Sequence, residues 1–118
     1  GHIVGDAALR QLSLELKRVL DEYELAGRYG GDEFCVILPT LPLAKAEVLM
    51  EQLREALEQY RHPDVPDLRV SLSIGLARYQ AGYKDAVDWL EDADKALYTA
   101  KHTGRNTISV ALAHDARV

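Results

Sequence analysis

The chain is poor in cysteine. Cys35 is the one cysteine among 118 residues, so no internal disulfide can form and a reducing compartment is the natural setting. Basic charge is also short. Lys and Arg number 14 against 19 Asp and Glu, a net charge of −5, which argues against nucleic-acid binding through a broad basic surface. An anionic small ligand would need cations gathered locally. No apolar run approaches the ~20 residues that span a bilayer. No Gly-rich phosphate loop of the dinucleotide-binding or P-loop kind occurs, so neither of those architectures has support. What remains is a length suited to one domain and an apolar fraction of 47%, too high for a disordered chain.

The chain is organised around Arg28-Tyr29-Gly30-Gly31-Asp32-Glu33-Phe34-Cys35-Val36-Ile37-Leu38-Pro39. The run from Phe34 to Leu38 is short, partly β-branched and bounded by Pro39, which predicts a buried strand. Leu25 to Tyr29 is its partner, so Gly30-Gly31 falls at a hairpin turn, where glycine supplies positive φ. Asp32 and Glu33 then stand at the hairpin mouth beside backbone without side chains. Two readings hold side by side. Acids at turns are commonly just solvated, and adjacent strand residues point to opposite faces. Alternatively, hard oxygen ligands there hold Mg²⁺ against a polyphosphate. Cys35 inside the strand reads as packing rather than as a nucleophile.

Around this hairpin, Ala7 to Tyr23 predicts an amphipathic helix with Leu9, Leu12, Leu16, Val19, Leu20 and Tyr23 on one stripe and Asp6 as its N-cap. Pro42 opens a second helix, whose buried stripe is Ala46, Leu49, Met50, Leu53, Leu57 and Tyr60. Residues 61–67 form a loop by their prolines, with His62 at the surface. Leu68 to Tyr79 alternates as a strand; its second face carries Ser71, Ser73 and Gly75, so something lies close against it. Lys84 to His102 is a third helix with Val87, Leu90, Ala93, Leu97 and Ala100 inward, and Gly104 is its left-handed C′ residue. Asn106 to Ala111 is a last strand. The order α-β-β-α-β-α-β predicts an α+β domain with a largely antiparallel central sheet covered by helices. Lys101 and Arg105 flank the end of the third helix. The helix dipole alone favours cations there, yet the next strand must return to the sheet, which brings them near an edge where phosphate would bind.

Arg28-Tyr29-Gly30-Gly31-Asp32-Glu33-Phe34 resembles the signature of the GGDEF family of diguanylate cyclases. Other segments agree in order: Gly1-His2-Ile3-Val4-Gly5-Asp6, Val70-Ser71-Leu72-Ser73-Ile74-Gly75, Ala93-Asp94 through Ala100-Lys101, and Gly104-Arg105-Asn106. The resemblance covers residues 1 to about 110, with 113–118 as a tail or linker. It implies a palm-like domain, ferredoxin-like or nucleotide-cyclase-like, that condenses two GTP into cyclic di-GMP and pyrophosphate as a homodimer. Carried over, Asp32 and Glu33 are the metal and catalytic residues with Mg²⁺ or Mn²⁺. Gly30 and Gly31 allow close approach of phosphate, Asp6 reads the guanine edge, and Lys101 and Arg105 hold terminal phosphates. The substrate GTP makes the domain cytoplasmic, whatever membrane anchor a parent protein carries. The alternative is a catalytically silent module that binds GTP or dimerises to regulate a neighbouring domain.

Two departures from the family pattern stand out. The family's first strand, with its other metal-binding Asp, and the following segment, with a guanine-reading Asn, have no match in residues 1–112. This implies half a metal site, an outer part of the sheet missing, and no activity from the chain alone. The second departure concerns the Arg-x-x-Asp of an inhibitory product site, whose matching positions are Asp21 and Glu24. An acid replaces the arginine, so product inhibition through that site is expected to be absent.

Overall fold

A computed structural model describes residues 2–20, 24–29, 33–39 and 41–111. The elements follow the expected order: α1 (His2–Val19), β1 (Glu24–Tyr29), β2 (Glu33–Ile37), α2 (Leu43–Gln59), β3 (Ile74–Leu76), α3 (Ala86–His102) and β4 (Ile108–Val110). β1 and β2 form the antiparallel hairpin, with Tyr29 opposite Glu33 and Arg28 opposite Phe34. The register shifts between Leu25 and Gly27, the signature of a bulge.

The second strand pair corrects the antiparallel expectation. β3 and β4 run parallel, Ile74 opposite Ile108 and Leu76 opposite Val110, with α3 as the crossover between them. Parallel neighbours need such a crossover, and α3 supplies it. Among the described residues the strands thus make two separate two-stranded sheets, one of each sense.

Alternation along β3 defines the layers. Ile74 and Ile108 pack on a core of Leu16 and Leu20 from the α1 side and Met50, Leu53 and Leu57 from α2. Gly75 faces the other way, against α3. A Cβ at Gly75 would stand 2.3 Å from the Ala93 carbonyl oxygen and 2.3 Å from the Leu97 nitrogen, so no side chain fits. The expectation of something lying close on the small-residue face is met.

Other boundaries differ. α1 begins at His2, so Asp6 lies within the helix rather than capping it. The ladder of β3 covers only residues 74–76; residues 68–73 have no hydrogen-bonded neighbour strand among the described residues, although Val70 and Leu72 do pack on the core. α3 begins at Ala86 because Asp85 takes the N-cap, its carboxylate accepting from the Asp88 N–H at 3.1 Å. The buried row of α3 is Asp92, Ala96 and Ala100, and Val87 is 58% exposed. Asp92 stands five positions after Val87, about 140° around the helix, which turns Val87 outward. His62 is buried at 8% exposure. Its Nδ1 accepts from the Asp64 N–H at 3.0 Å, and the Val65 N–H donates to the His62 carbonyl at 3.2 Å, which closes the loop into a turn.

Candidate functional site

The hairpin and the end of α3 converge. Glu33 is the first residue of β2, and Lys101 lies in the last turn of α3. Their side chains meet, Lys101 Nζ donating to Glu33 Oε2 at 2.6 Å across 68 residues of sequence. Both ends stay partly in water, at 23% and 36% exposure. An ion pair this open contributes on the order of 0–1 kcal/mol. Stability is therefore not a sufficient reason for two charges to meet here.

The chain beyond Lys101 stops in a left-handed run. Thr103 caps α3, and Gly104 at C′ has φ of 116°. The Arg105 N–H donates to the Ala100 carbonyl at 3.0 Å, the long bond of a Schellman stop. Arg105 and Asn106 also take positive φ, 60° and 48°. Among the described residues the Arg105 guanidinium makes no ion pair, and it is exposed. Glu33, Lys101 and Arg105 share one cavity of about 410 Å³, which runs inward past Ser73 and Cys35 to the α1 residues Leu9 and Ser13. A second cavity of about 680 Å³, more apolar, lies between Val36 of β2 and Leu76 of β3 and is lined by Trp89 of α3. Trp89 Nε1 donates to the Ala77 carbonyl at 2.9 Å, which holds that wall. Burial, with the Asp94 carboxylate nearby, pushes the Cys35 thiol above its ordinary value. A thiol held protonated is a poor nucleophile, in line with a packing role.

The match to known proteins covers nearly the whole chain. The model of the diguanylate cyclase GGDEF domain fits residues 1–107. The chain belongs to the GGDEF-domain family. It is 39% identical over 111 residues to a probable diguanylate cyclase, DgcC, of Escherichia coli, covering 94% of this chain and 30% of that protein. It is 37% identical over 111 residues to the cyclic di-GMP phosphodiesterase PdeB of Shewanella oneidensis, covering 93% of this chain and 13% of that protein. The chain thus spans a third or less of these curated relatives. Among solved structures, the active GGEEF domain of a diguanylate cyclase from Vibrio cholerae superposes with a TM-score of 0.86 at 30% identity, over 96% of this chain and 72% of that one. These neighbours carry the palm-like α+β fold.

Of the residues singled out in this GGDEF domain, the fold brings together Glu33, Lys101 and Arg105. Asp6 is exposed on α1, one turn before the cavity-lining Leu9, and does not itself line the cavity. Gly30, Gly31 and Asp32 lie outside the described residues, as does Asp21. Among the described residues no group of three or more His, Cys, Asp and Glu side chains gathers as a metal cage. The donor chemistry still suits Mg²⁺ or Mn²⁺, because Mg²⁺ is commonly held by one or two carboxylates together with substrate phosphates, and Glu33 offers a hard oxygen at the cavity mouth.

Sequence reading missed Arg54. It belongs to α2, where Glu51, Arg54 and Glu58 have the spacing of ordinary surface ion pairs. Its side chain is nevertheless only 13% exposed and reaches Asn106, 52 residues on. The signal that would find it is an arginine placed next to the buried stripe, one position after Leu53.

Proposed function

We propose that this GGDEF domain is one half of a diguanylate cyclase active site, which condenses two GTP into cyclic di-GMP with loss of two pyrophosphates. The observation that carries the reading is the meeting of Glu33 and Lys101 at the mouth of a cavity that Arg105 also lines. Lys101 and Arg105 bind the terminal phosphates, one as a point charge and the other as a fork. On GTP binding, Lys101 exchanges Glu33 for phosphate oxygen, and Glu33 turns to the reacting centre with Asp32. A bound Mg²⁺ or Mn²⁺ supplies charge neutralisation on the phosphates. Gly30 and Gly31 allow the backbone to approach them. Asp6 accepts from the adjacent N–H donors of guanine, a pattern adenine lacks.

Two domains meet face to face, each holding one GTP. The 3′-hydroxyl of one nucleotide forms a bond to the α-phosphorus of the other. The bond from that phosphorus to the β-bridging oxygen breaks, pyrophosphate leaves with the electron pair, and Glu33 assists departure of the hydroxyl proton. Held in line, the reactants gain from proximity, and neither half completes the ring alone.

The cleft between β2 and β3 supports a further part of this reading. Both cavities lie there, lined by Val36 and Cys35 on one side and Gly75 and Leu76 on the other. A strand entering this cleft would join the two sheets and bring a second carboxylate beside Glu33. On this reading the extra strand is central to the sheet rather than an outer part, and residues 1–118 alone make no cyclic di-GMP.

A second reading is favoured by one observation: a relative at 37% identity is named as a cyclic di-GMP phosphodiesterase, so the domain also occurs in a protein named for another activity. On this second reading the present chain would bind GTP or dimerise as a silent regulator of a neighbouring domain. Incubation of the full natural polypeptide with Mg²⁺ and GTP, with product resolved by chromatography, separates the two. The cyclase reading expects cyclic di-GMP from the full polypeptide, none from Asp32→Asn, and none from the 118-residue chain. A folded, dimeric full polypeptide that binds GTP without turning it over would replace it with the regulatory reading. Product inhibition is expected to be absent, since Asp21 stands where the product-gripping arginine would be.

A further inference from the structure

We propose that Arg54 of α2 is a positioning residue for Arg105, acting through the side chain of Asn106. The inference rests on the reading of Arg105 as a phosphate ligand. Gly104, Arg105 and Asn106 take positive φ in succession, 116°, 60° and 48°. Glycine enters this region freely, while arginine enters it only where its surroundings over-determine the backbone. Those surroundings are specific. The Arg105 N–H is tied to Ala100, and the Asn106 N–H donates to Ser73 Oγ at 3.2 Å. Both ends of the Asn106 amide are also used. Oδ1 accepts from Arg54 Nη1 at 2.9 Å, and Nδ2 donates to Glu58 Oε2.

The orientation of that amide follows from chemistry. A guanidinium only donates and a carboxylate only accepts, so Oδ1 must face Arg54 and Nδ2 must face Glu58. Arg54 is itself held. Its Nε donates to Glu51 Oε1 at 2.8 Å, and Nη1 also reaches Glu58 Oε2 at 3.2 Å. One planar fork therefore serves Glu51, Glu58 and Asn106 together. Lysine would keep the charge and lose the fork. Arg54 does not line the cavity that Arg105 shares with Lys101 and Glu33. It acts at a distance, by fixing the residue that follows Arg105 in the chain.

The test is calorimetric titration of Mg²⁺-GTP into the full natural polypeptide. Arg105→Ala should weaken binding about tenfold, the loss of one charge-assisted contact. Asn106→Gly leaves the left-handed backbone accessible and removes only the side-chain tie; it should weaken binding about threefold, and Arg54→Lys should match it, on the same scale. Combined with Arg105→Ala, Asn106→Gly should add nothing, because the group it positions is gone. A merely structural role would multiply the two losses instead. If Arg105→Ala weakens binding while Asn106→Gly binds like the wild type, the positioning role is wrong and the phosphate reading stands. If Arg105→Ala itself binds like the wild type, both fall. Asn106→Gly decides the matter should Arg54→Lys fail to fold.

Discussion

The two strand pairs of this domain are held by different means. The β1–β2 hairpin is local: its partner strands lie three residues apart in the chain, and its register tolerates a bulge between Leu25 and Gly27. The β3–β4 pair is non-local, with three paired positions, and owes its alignment to the helix that crosses between them. At Gly75 the backbones of β3 and α3 approach until not even a methyl group fits. A hairpin adapts to substitution by shifting side chains, whereas a strand clamped under a helix has no such freedom. The candidate site stands between the two pairs, Glu33 coming from the adaptable one, Lys101 from the end of the helix that crosses the clamped one and Arg105 from the segment just after that helix.

The contrast breaks hardest at Gly75. Gly75→Ala should cost about 3 kcal/mol or more, because the obstacles are main-chain atoms that cannot rotate away. Val36→Ala on the hairpin should cost only about 1 kcal/mol, since Val36 is half-buried and borders open cavities. Urea unfolding measures both, and equal losses would dissolve the distinction. A smaller effect sharpens the account of how α3 is fixed. Tyr83 donates its hydroxyl to Asp92 Oδ2 at 2.9 Å, and Asp92 is 2% exposed. Tyr83→Phe should cost about 1–2 kcal/mol by withdrawing one donor from a buried carboxylate; a neutral result in the same unfolding series would mean that the contact does not anchor the helix.

The smallest effect lies on α2. The hydrogen bond from Arg54, above all, holds the Glu51 carboxyl below its ordinary value. A carboxylate lowered in the folded state adds stability above its unfolded pKa of about 4.3, and that stability disappears as pH falls through the folded value. Glu51 is 45% exposed, so solvent screening limits the contribution to below about 0.5 kcal/mol. Wild type and Glu51→Gln should differ slightly at pH 7 and converge as the pH falls below the carboxyl's lowered folded value in chemical denaturation. A gap that widened in acid would reverse the sign and refute the assignment.

Much of this architecture is legible in the residues. Gly30-Gly31 before an apolar run announces the hairpin, Pro42 opens α2, and Gly104 closes α3, because each depends on local backbone chemistry. The unforeseen features depend on distant partners. Periodicity marks a strand without saying which way its neighbour runs, so the parallel pairing of β3 and β4 is invisible to it. α1 runs through Ile3, Val4 and Gly5, residues of modest helix propensity, which is why Asp6 resembles a cap. Apolar counting picks Val87 and passes over Asp92, a polar residue buried with a partner. Arg54 escapes for the same reason: its two glutamates are neighbours on the helix, and its decisive contact lies 52 residues away. Within the site, Glu33, Lys101 and Arg105 were legible as chemistry, and their convergence required the fold.

The left-handed stop at Gly104 has a consequence for how the basic end of α3 tolerates change. Most helices lengthen or unwind by a residue at modest cost, so the interval between two groups on either side of a helix end is elastic. Here three successive residues of opposite handedness prevent the helix from advancing, and the strand beyond is already committed to its neighbour. Insertion or deletion between Lys101 and Arg105 would have no slack to absorb it and would swing one cation about 100° around the axis per residue. The interval between the two charges behaves as a fixed gauge set by the main chain, and the side chains only complete its last few ångströms.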